Sequence, residues 1–208
     1  MSKLREILND HDINGWNKEG GTDKDSIHSY LEAYEKHLSP YIGQECTLLE
    51  IGVWHGGSSL LWHEYLQKAT ICGIDIDYRT PERIANKFSD RYKFYKINAY
   101  VPDTVSLIMN DYPVGFDIII EDGIHTKESN EFAIKNYLPM LKKGGVMIIE
   151  DIPANPLNET PFAYIEITLP HVIEEMKALI PDGYEVEVID LIHVKGRFDD
   201  ILFIIKKL

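Results

Sequence analysis

Phe116-Asp117-Ile118-Ile119-Ile120-Glu121-Asp122-Gly123-Ile124-His125 and Gly144-Gly145-Val146-Met147-Ile148-Ile149-Glu150-Asp151 are the two stretches that decide the fold. Each is a short β-branched run that stops at a carboxylate, as a strand buried in a parallel sheet does. In an open α/β sheet the chemistry gathers beyond the carboxyl ends of the strands. Adjacent strands lie about 4.8 Å apart. If these two are neighbours, Asp122 and Asp151 can hold one divalent cation, with His125 beside it as a candidate base.

Outward from these runs, strands and helices alternate, which predicts βαβ units and a mostly parallel, doubly wound α/β sheet. Strands are expected over 47–52, 70–76, 92–97 and up to Glu121 and Glu150, and helices over 58–66, 81–88, 104–109 and 128–141. Ser58 or Ser59 is the expected cap of the first of these helices. The tail breaks the rhythm: a helix over 173–180, then strands over 185–193 and 201–206 joined by the polar turn 195–200. A connection that short forces an antiparallel pair. The expectation is therefore a seven-stranded Rossmann-like sheet finished by an antiparallel hairpin, with helices on both faces. Residues 1–208 read as one domain, with a helical cap over 1–40 and an acceptor-site loop over 152–170.

The formal charge is −13, from 21 basic and 34 acidic residues. Such a field does not draw the chain to phosphate backbones or anionic lipid, so neither nucleic acid nor membrane is an expected partner. No apolar run reaches the roughly 18 residues of a membrane span. Cys46 and Cys72, without metal-ligand spacing, read as buried thiols of a cytoplasmic protein. Oligomeric state is open, with a homo-oligomer as one option.

Glu50-Ile51-Gly52-Val53-Trp54-His55-Gly56-Gly57-Ser58 ends a strand and opens a helix. Glycines there let a ligand approach the backbone, and the helix terminus offers free N–H donors. Asp75, or its neighbour Asp77, closes the next strand about 20 residues on, where an acid can accept from ribose hydroxyls. Asn98 follows the third strand where an adenine edge can be read. A glycine turn plus a ribose acid implies an adenosine cofactor, without separating a nicotinamide from S-adenosylmethionine (SAM). The spacing is not the dinucleotide pattern G-x-G-x-x-G.

Four pieces taken together resemble the class I SAM-dependent methyltransferases: Glu-x-Gly-x-x-x-Gly-x-Ser from Glu50, Gly73-Ile74-Asp75-Ile76-Asp77, Asp122-Gly123-x-His125, and Gly-Gly-x-x-x-Ile-Glu-Asp ending at Asp151. Within that class the chain is most similar to the metal-dependent sugar O-methyltransferases acting on deoxysugars of macrolides and other glycosides. Gly20-Gly21-Thr22-Asp23-Lys24, Tyr30 and Tyr34-Glu35 carry the resemblance into the amino-terminal segment. It implies SAM held by Glu50, Gly52, Gly56, Ser58, Asp75, Asn98, Thr22 and Lys24. It also implies Mg²⁺ or Mn²⁺ on Asp122, Asp151 and a third acid that best matches Glu35, with Glu32 close by, and His125 as general base.

The chemistry agrees with such a set. A sugar hydroxyl is a poor nucleophile near neutral pH. A cation acidifies it, a neutral imidazole takes its proton, and carboxylates suit a hard ion. The expected acceptor is a small molecule or glycan, at the 2- or 3-hydroxyl of a rhamnose-like deoxyhexose, with a catechol or other small phenol as the alternative.

Overall fold

The computed structural model describes residues 2–152 and 162–208. Among these, seven strands form one sheet: β1 (Thr47–Ile51), β2 (Thr70–Asp75), β3 (Tyr92–Lys96), β4 (Phe116–Glu121), β5 (Leu141–Ile149), β6 (Tyr184–Asp190) and β7 (Ile201–Lys207). Their order is β3-β2-β1-β4-β5-β7-β6. The first five run parallel, and β7 is antiparallel to both β5 and β6. The crossovers reverse direction between β1 and β4. That switch point opens a crevice above the strand ends, where open α/β sheets bind ligands.

Two apolar layers cover the faces of the sheet. One combines Leu48, Ile118, Ile120, Val146 and Ile148 with α1 (Lys3–Asp10), α2 (Leu31–Leu38) and α3 (Gly57–Tyr65). The other sets Leu49, Ile119, Met147, Phe203 and Ile205 against α5 (Pro102–Asp111), α6 (Lys127–Asn136) and the end of α7 (Phe162–Ala178). Strand residues buried alternately to either side explain why these segments read as continuous apolar runs. Short α4 (Glu82–Ala85) and α8 (Ile192–Lys195) complete the fold. No helix of the described residues is long and apolar enough to cross a membrane. Cys46 and Cys72 are free and buried, and burial pushes their thiols up to about 11 and about 12.

Several boundaries differ from the sequence expectation. The helix expected over 81–88 is the single turn α4. The one expected to reach Leu141 stops at Asn136, and a 3₁₀ turn containing Pro139 leads into β5. Proline supplies no N–H to continue the ladder. Gly144 and Gly145 lie inside β5 at a register shift against β4, so they bend the strand rather than precede it. The strand expected to reach His193 stops at Asp190, and α8 fills part of the connection to β7. Of the expected acceptor loop, Ile152 and 162–170 are described, and 162–170 is instead the first part of α7, a helix expected only from 173. The rest of the loop lies outside the described residues.

Phe203 is fully buried on β7, beside β5. Phe203→Ala is expected to lower the unfolding free energy by about 3–5 kcal/mol, measured by urea denaturation, through lost burial and the cavity left behind.

Candidate active site

The turn after β1 is built around a close approach of two strand ends. Gly52 has φ +88°, and a Cβ there would stand 1.8 Å from the Asp122 carbonyl oxygen. The Asp122 amide donates to the Ile51 carbonyl at 2.8 Å, so the cofactor-type turn and the acidic strand end are locked together. Asp75 fastens the other side. Its Oδ2 accepts from the amides of Val53 (3.0 Å) and Trp54 (2.8 Å), and its Oδ1 from the amide of Asp77 (3.1 Å).

Gly56, at φ +80°, is the cap residue of α3, with no side-chain cap bond, so neither Ser58 nor Ser59 caps that helix. The Ser59 hydroxyl donates instead to Glu50. Glu50 also accepts from the Trp62 indole at 2.8 Å and is fully buried. It is a strut beneath the turn, which corrects its expected place among the ligand-facing residues. Burial raises its pKa, opposed by Ser59, Lys24 and Trp62.

Glu121 of β4 is in register with Ile149 of β5, and the Glu150 amide donates to the Glu121 carbonyl at 3.0 Å. Asp122 and Glu150 therefore stand side by side. Alternation along a strand would send neighbouring side chains 150 and 151 to opposite faces. Asp151 instead has φ +56°, and the resulting turn breaks the alternation. Both carboxylates meet the amino-terminal segment. Glu150 accepts from Lys24 (2.8 Å) and from the Tyr34 hydroxyl, while Asp151 accepts from the Tyr30 hydroxyl (2.5 Å).

His125, at φ +52°, points Nε2 at both aspartates, 3.7 Å from Asp122 Oδ1 and 3.6 Å from Asp151 Oδ2. The three residues each offer a ligand atom, all within 4.8 Å of one another. A second triad of this kind, His28, Asp151 and Asp199, shares Asp151. There Asp199 is already engaged by Arg197 at 3.0 and 2.6 Å. His28 also lies 3.3 Å from Asp200.

Electrostatics reflect crowded acids in a dry place. Burial, with Asp122 adding to it, pushes the Asp151 carboxyl up to about 6 against the pull of His125 and His28. Burial and then Asp122 raise Glu150 well above its ordinary value. Burial also pushes Glu121 up to about 7. Burial works to lower His125, but Asp151, Asp122 and Glu121 outweigh it and the imidazole pKa rises. The two aspartates, converging with excess negative charge, are oxygen donors that fit a hard divalent cation, and the imidazole stands beside them.

A cleft of about 770 Å³ runs from Gly52, Ser58, Asp75 and Asn98, past Thr22, to Asp122, His125 and Asp151. Its volume is in the usual range for small-molecule sites. Four expected residues, Glu50, Gly56, Glu35 and Lys24, do not line the cleft. The Glu35 carboxylate, assigned to the metal, accepts from the Ser2 hydroxyl (2.8 Å) and the Leu4 amide (3.1 Å). It thus ties α2 to the amino terminus of α1, where orphan N–H groups and the helix dipole favour a carboxylate. Lys24, assigned to the cofactor, is wholly buried between Asp122 (2.7 Å) and Glu150. The sequence places Glu150, Tyr30 and Tyr34 only within matching motifs, with no role, and does not single out His28. Glu150 was visible as the acid beside Asp151, but nothing local marked the other three as neighbours of a site more than 100 residues away.

The family described as "Methyltransferase domain" matches residues 49–152, half of the chain. The chain is 31% identical over 140 residues to the 8-demethyl-8-alpha-L-rhamnosyl tetracenomycin-C 2'-O-methyltransferase of Streptomyces olivaceus, covering 64% of this chain and 35% of that protein. It is 28% identical over 137 residues to the demethylmacrocin O-methyltransferase of Streptomyces fradiae, covering 61% and 32%. The chain thus spans about a third of the length of these curated relatives. In fold it resembles the MycE methyltransferase from the mycinamycin biosynthetic pathway, solved in complex with Mg and SAH. The TM-score is 0.64 at 20% identity, over 98% of this chain and 54% of that one.

Gly52→Ala is expected to destabilise the protein by about 3 kcal/mol or more in denaturant unfolding, because the added methyl meets the Asp122 backbone and the conformation is left-handed.

Proposed function

Because this chain belongs to the methyltransferase domain family, we propose that it transfers a methyl group from SAM to a sugar hydroxyl, assisted by a divalent metal and with His125 as general base. The observation that carries this reading is the single cleft shared by the Gly52–Asp75 turn and the Asp122–His125–Asp151 cluster. The relatives' names, a rhamnosyl tetracenomycin 2'-O-methyltransferase among them, support a deoxysugar acceptor at its 2- or 3-hydroxyl. The acceptor is a small molecule or glycan rather than nucleic acid, in keeping with the charge of −13.

Gly52, Ser58, Asp75, Asn98 and Thr22 border the donor end of the cleft. Asp75 spends three acceptor positions on backbone amides, so it shapes the turn that would receive the cofactor. Asp122 and Asp151 are the residues that would hold Mg²⁺ or Mn²⁺. When bound, SAM supplies an electrophilic methyl group and the cation acidifies a hydroxyl that it binds. His125 receives the hydroxyl proton on Nε2, and the flanking aspartates keep that nitrogen facing the acceptor end and stabilise the imidazolium. The surrounding apolar wall, including Ile51, Ile74 and Ala99, limits water around the reacting groups.

His125→Ala is expected to lower kcat on a rhamnoside about 100-fold or more while the calorimetric affinity for SAM is unchanged. Tight binding of NAD without any heat from SAM would overturn the donor. Excess chelator is expected to abolish turnover, with recovery on adding Mg²⁺ or Mn²⁺. Full turnover in chelator would remove the metal from the mechanism, and faster turnover of a catechol than of a rhamnoside would replace the sugar with a phenol.

A further inference from the structure

Lys24 is a wholly buried ammonium set among groups from three elements. It donates to Asp122 Oδ2 at 2.7 Å at the end of β4 and to Glu150 at 2.8 Å at the end of β5, and stands 5.9 Å from the centre of the Tyr34 ring on α2. The two oxygens of Asp122 divide their partners. Oδ2 faces Lys24, while Oδ1 faces His125. Glu150 is likewise turned away from the cleft, its carboxylate shared between Lys24 and Tyr34. A buried carboxylate and a largely buried one sharing a single ammonium need that positive charge between them, since a buried ion left unpaired costs several kcal/mol.

We propose that Lys24 is a positioning residue, the built-in counter-cation of the Asp122–Glu150 pair. It neutralises one edge of the acidic cluster and leaves the other edge, Asp122 Oδ1 and Asp151, for a divalent ion, with His125 beside it. Two consequences follow from this division. The inner edge holds its geometry without any added metal. Removing the ammonium frees Asp122 Oδ2 and Glu150 as further oxygen donors, and a divalent cation then binds more tightly, because affinity grows with the number of ligand charges. The second consequence rests on the metal-assisted reading above, whereas the first does not.

The test compares the full chain with its Lys24→Met variant, in chelator and with Mn²⁺, by thermal melting and by the electron paramagnetic resonance signal of free Mn²⁺. The wild type is expected to melt within a few degrees of the same temperature with or without chelator. Lys24→Met is expected to melt about 10 °C lower in chelator, to regain at least half of that with Mn²⁺, and to bind Mn²⁺ about ten-fold more tightly than the wild type. A merely structural lysine would give a variant that binds Mn²⁺ more weakly.

A variant as stable as the wild type in chelator, or a folded variant with unchanged or weaker Mn²⁺ binding, overturns the proposal. Should Lys24→Met fail to accumulate, the charge-balanced pair Lys24→Met with Glu150→Gln is expected to fold in chelator, and its failure to do so also overturns the proposal. If the wild type binds no Mn²⁺ but Lys24→Met does, the metal-assisted reading falls and the counter-cation stands. If the wild type binds Mn²⁺ and Lys24→Met melts like it in chelator, the reverse holds.

Discussion

Mutual repulsion among four carboxylates governs this molecule. Glu121, Asp122, Glu150 and Asp151 stand at the ends of two adjacent parallel strands, all of them wholly or largely buried. The register of β4 against β5 makes that crowding unavoidable. Buried charge of one sign is costly unless it is paired. The amino-terminal segment supplies the pairing of Asp122, Glu150 and Asp151 with Lys24, Tyr30, Tyr34 and His28, while the Tyr100 hydroxyl donates to Glu121. That segment is held in turn from both sides. Glu35 ties α2 to α1, and the carboxyl-terminal part grips it through Asp200 on the Ser29 amide (3.1 Å) and Lys195 on the His28 carbonyl (2.6 Å).

Backbone strain gathers in the same place. Among the described residues, Asp12, Trp54, His125 and Asp151 are the non-glycine residues with positive φ, and the last three line the cleft. Left-handed backbone costs free energy and persists where the surroundings over-determine it. At Asp151 the physical return is visible. The reversal brings a side chain that strand alternation would send away onto the same side as Asp122. At Trp54 the amide is turned onto Asp75. Strain therefore serves both ends of the cleft, and Gly52, which lets the β1 turn touch Asp122, joins them.

Membership of the methyltransferase domain family agrees with this architecture. The switch point between β1 and β4 lies where open α/β sheets bind ligands, and the next strand pair carries the acids. The antiparallel β7 flanks β5 and continues the buried sheet, which keeps the acidic strand ends off an exposed sheet edge.

Much of this was legible in the linear chain. Strand identity followed from β-branched runs ending at acids, and the antiparallel tail from a connection too short to cross over. Asp122, His125 and Asp151 were legible because each closes or follows a buried strand, a local signal. Helix ends were read less well at Glu82–Ala85 and Asn136, where proline and tertiary contacts rather than propensity set the limits. Glu50, Lys24 and Glu35 mark what sequence alone left undecided. Each is a charged residue within a matching motif, and motif position carries no information on whether a carboxylate or ammonium faces the cleft or the protein. Only the packed structure decides that, because the partners, Trp62, Asp122 with Glu150, and Leu4, meet these residues through folding. Local pattern thus determined the elements and the acidic strand ends, while the pairing of buried charges, a long-range electrostatic requirement, was decided in three dimensions.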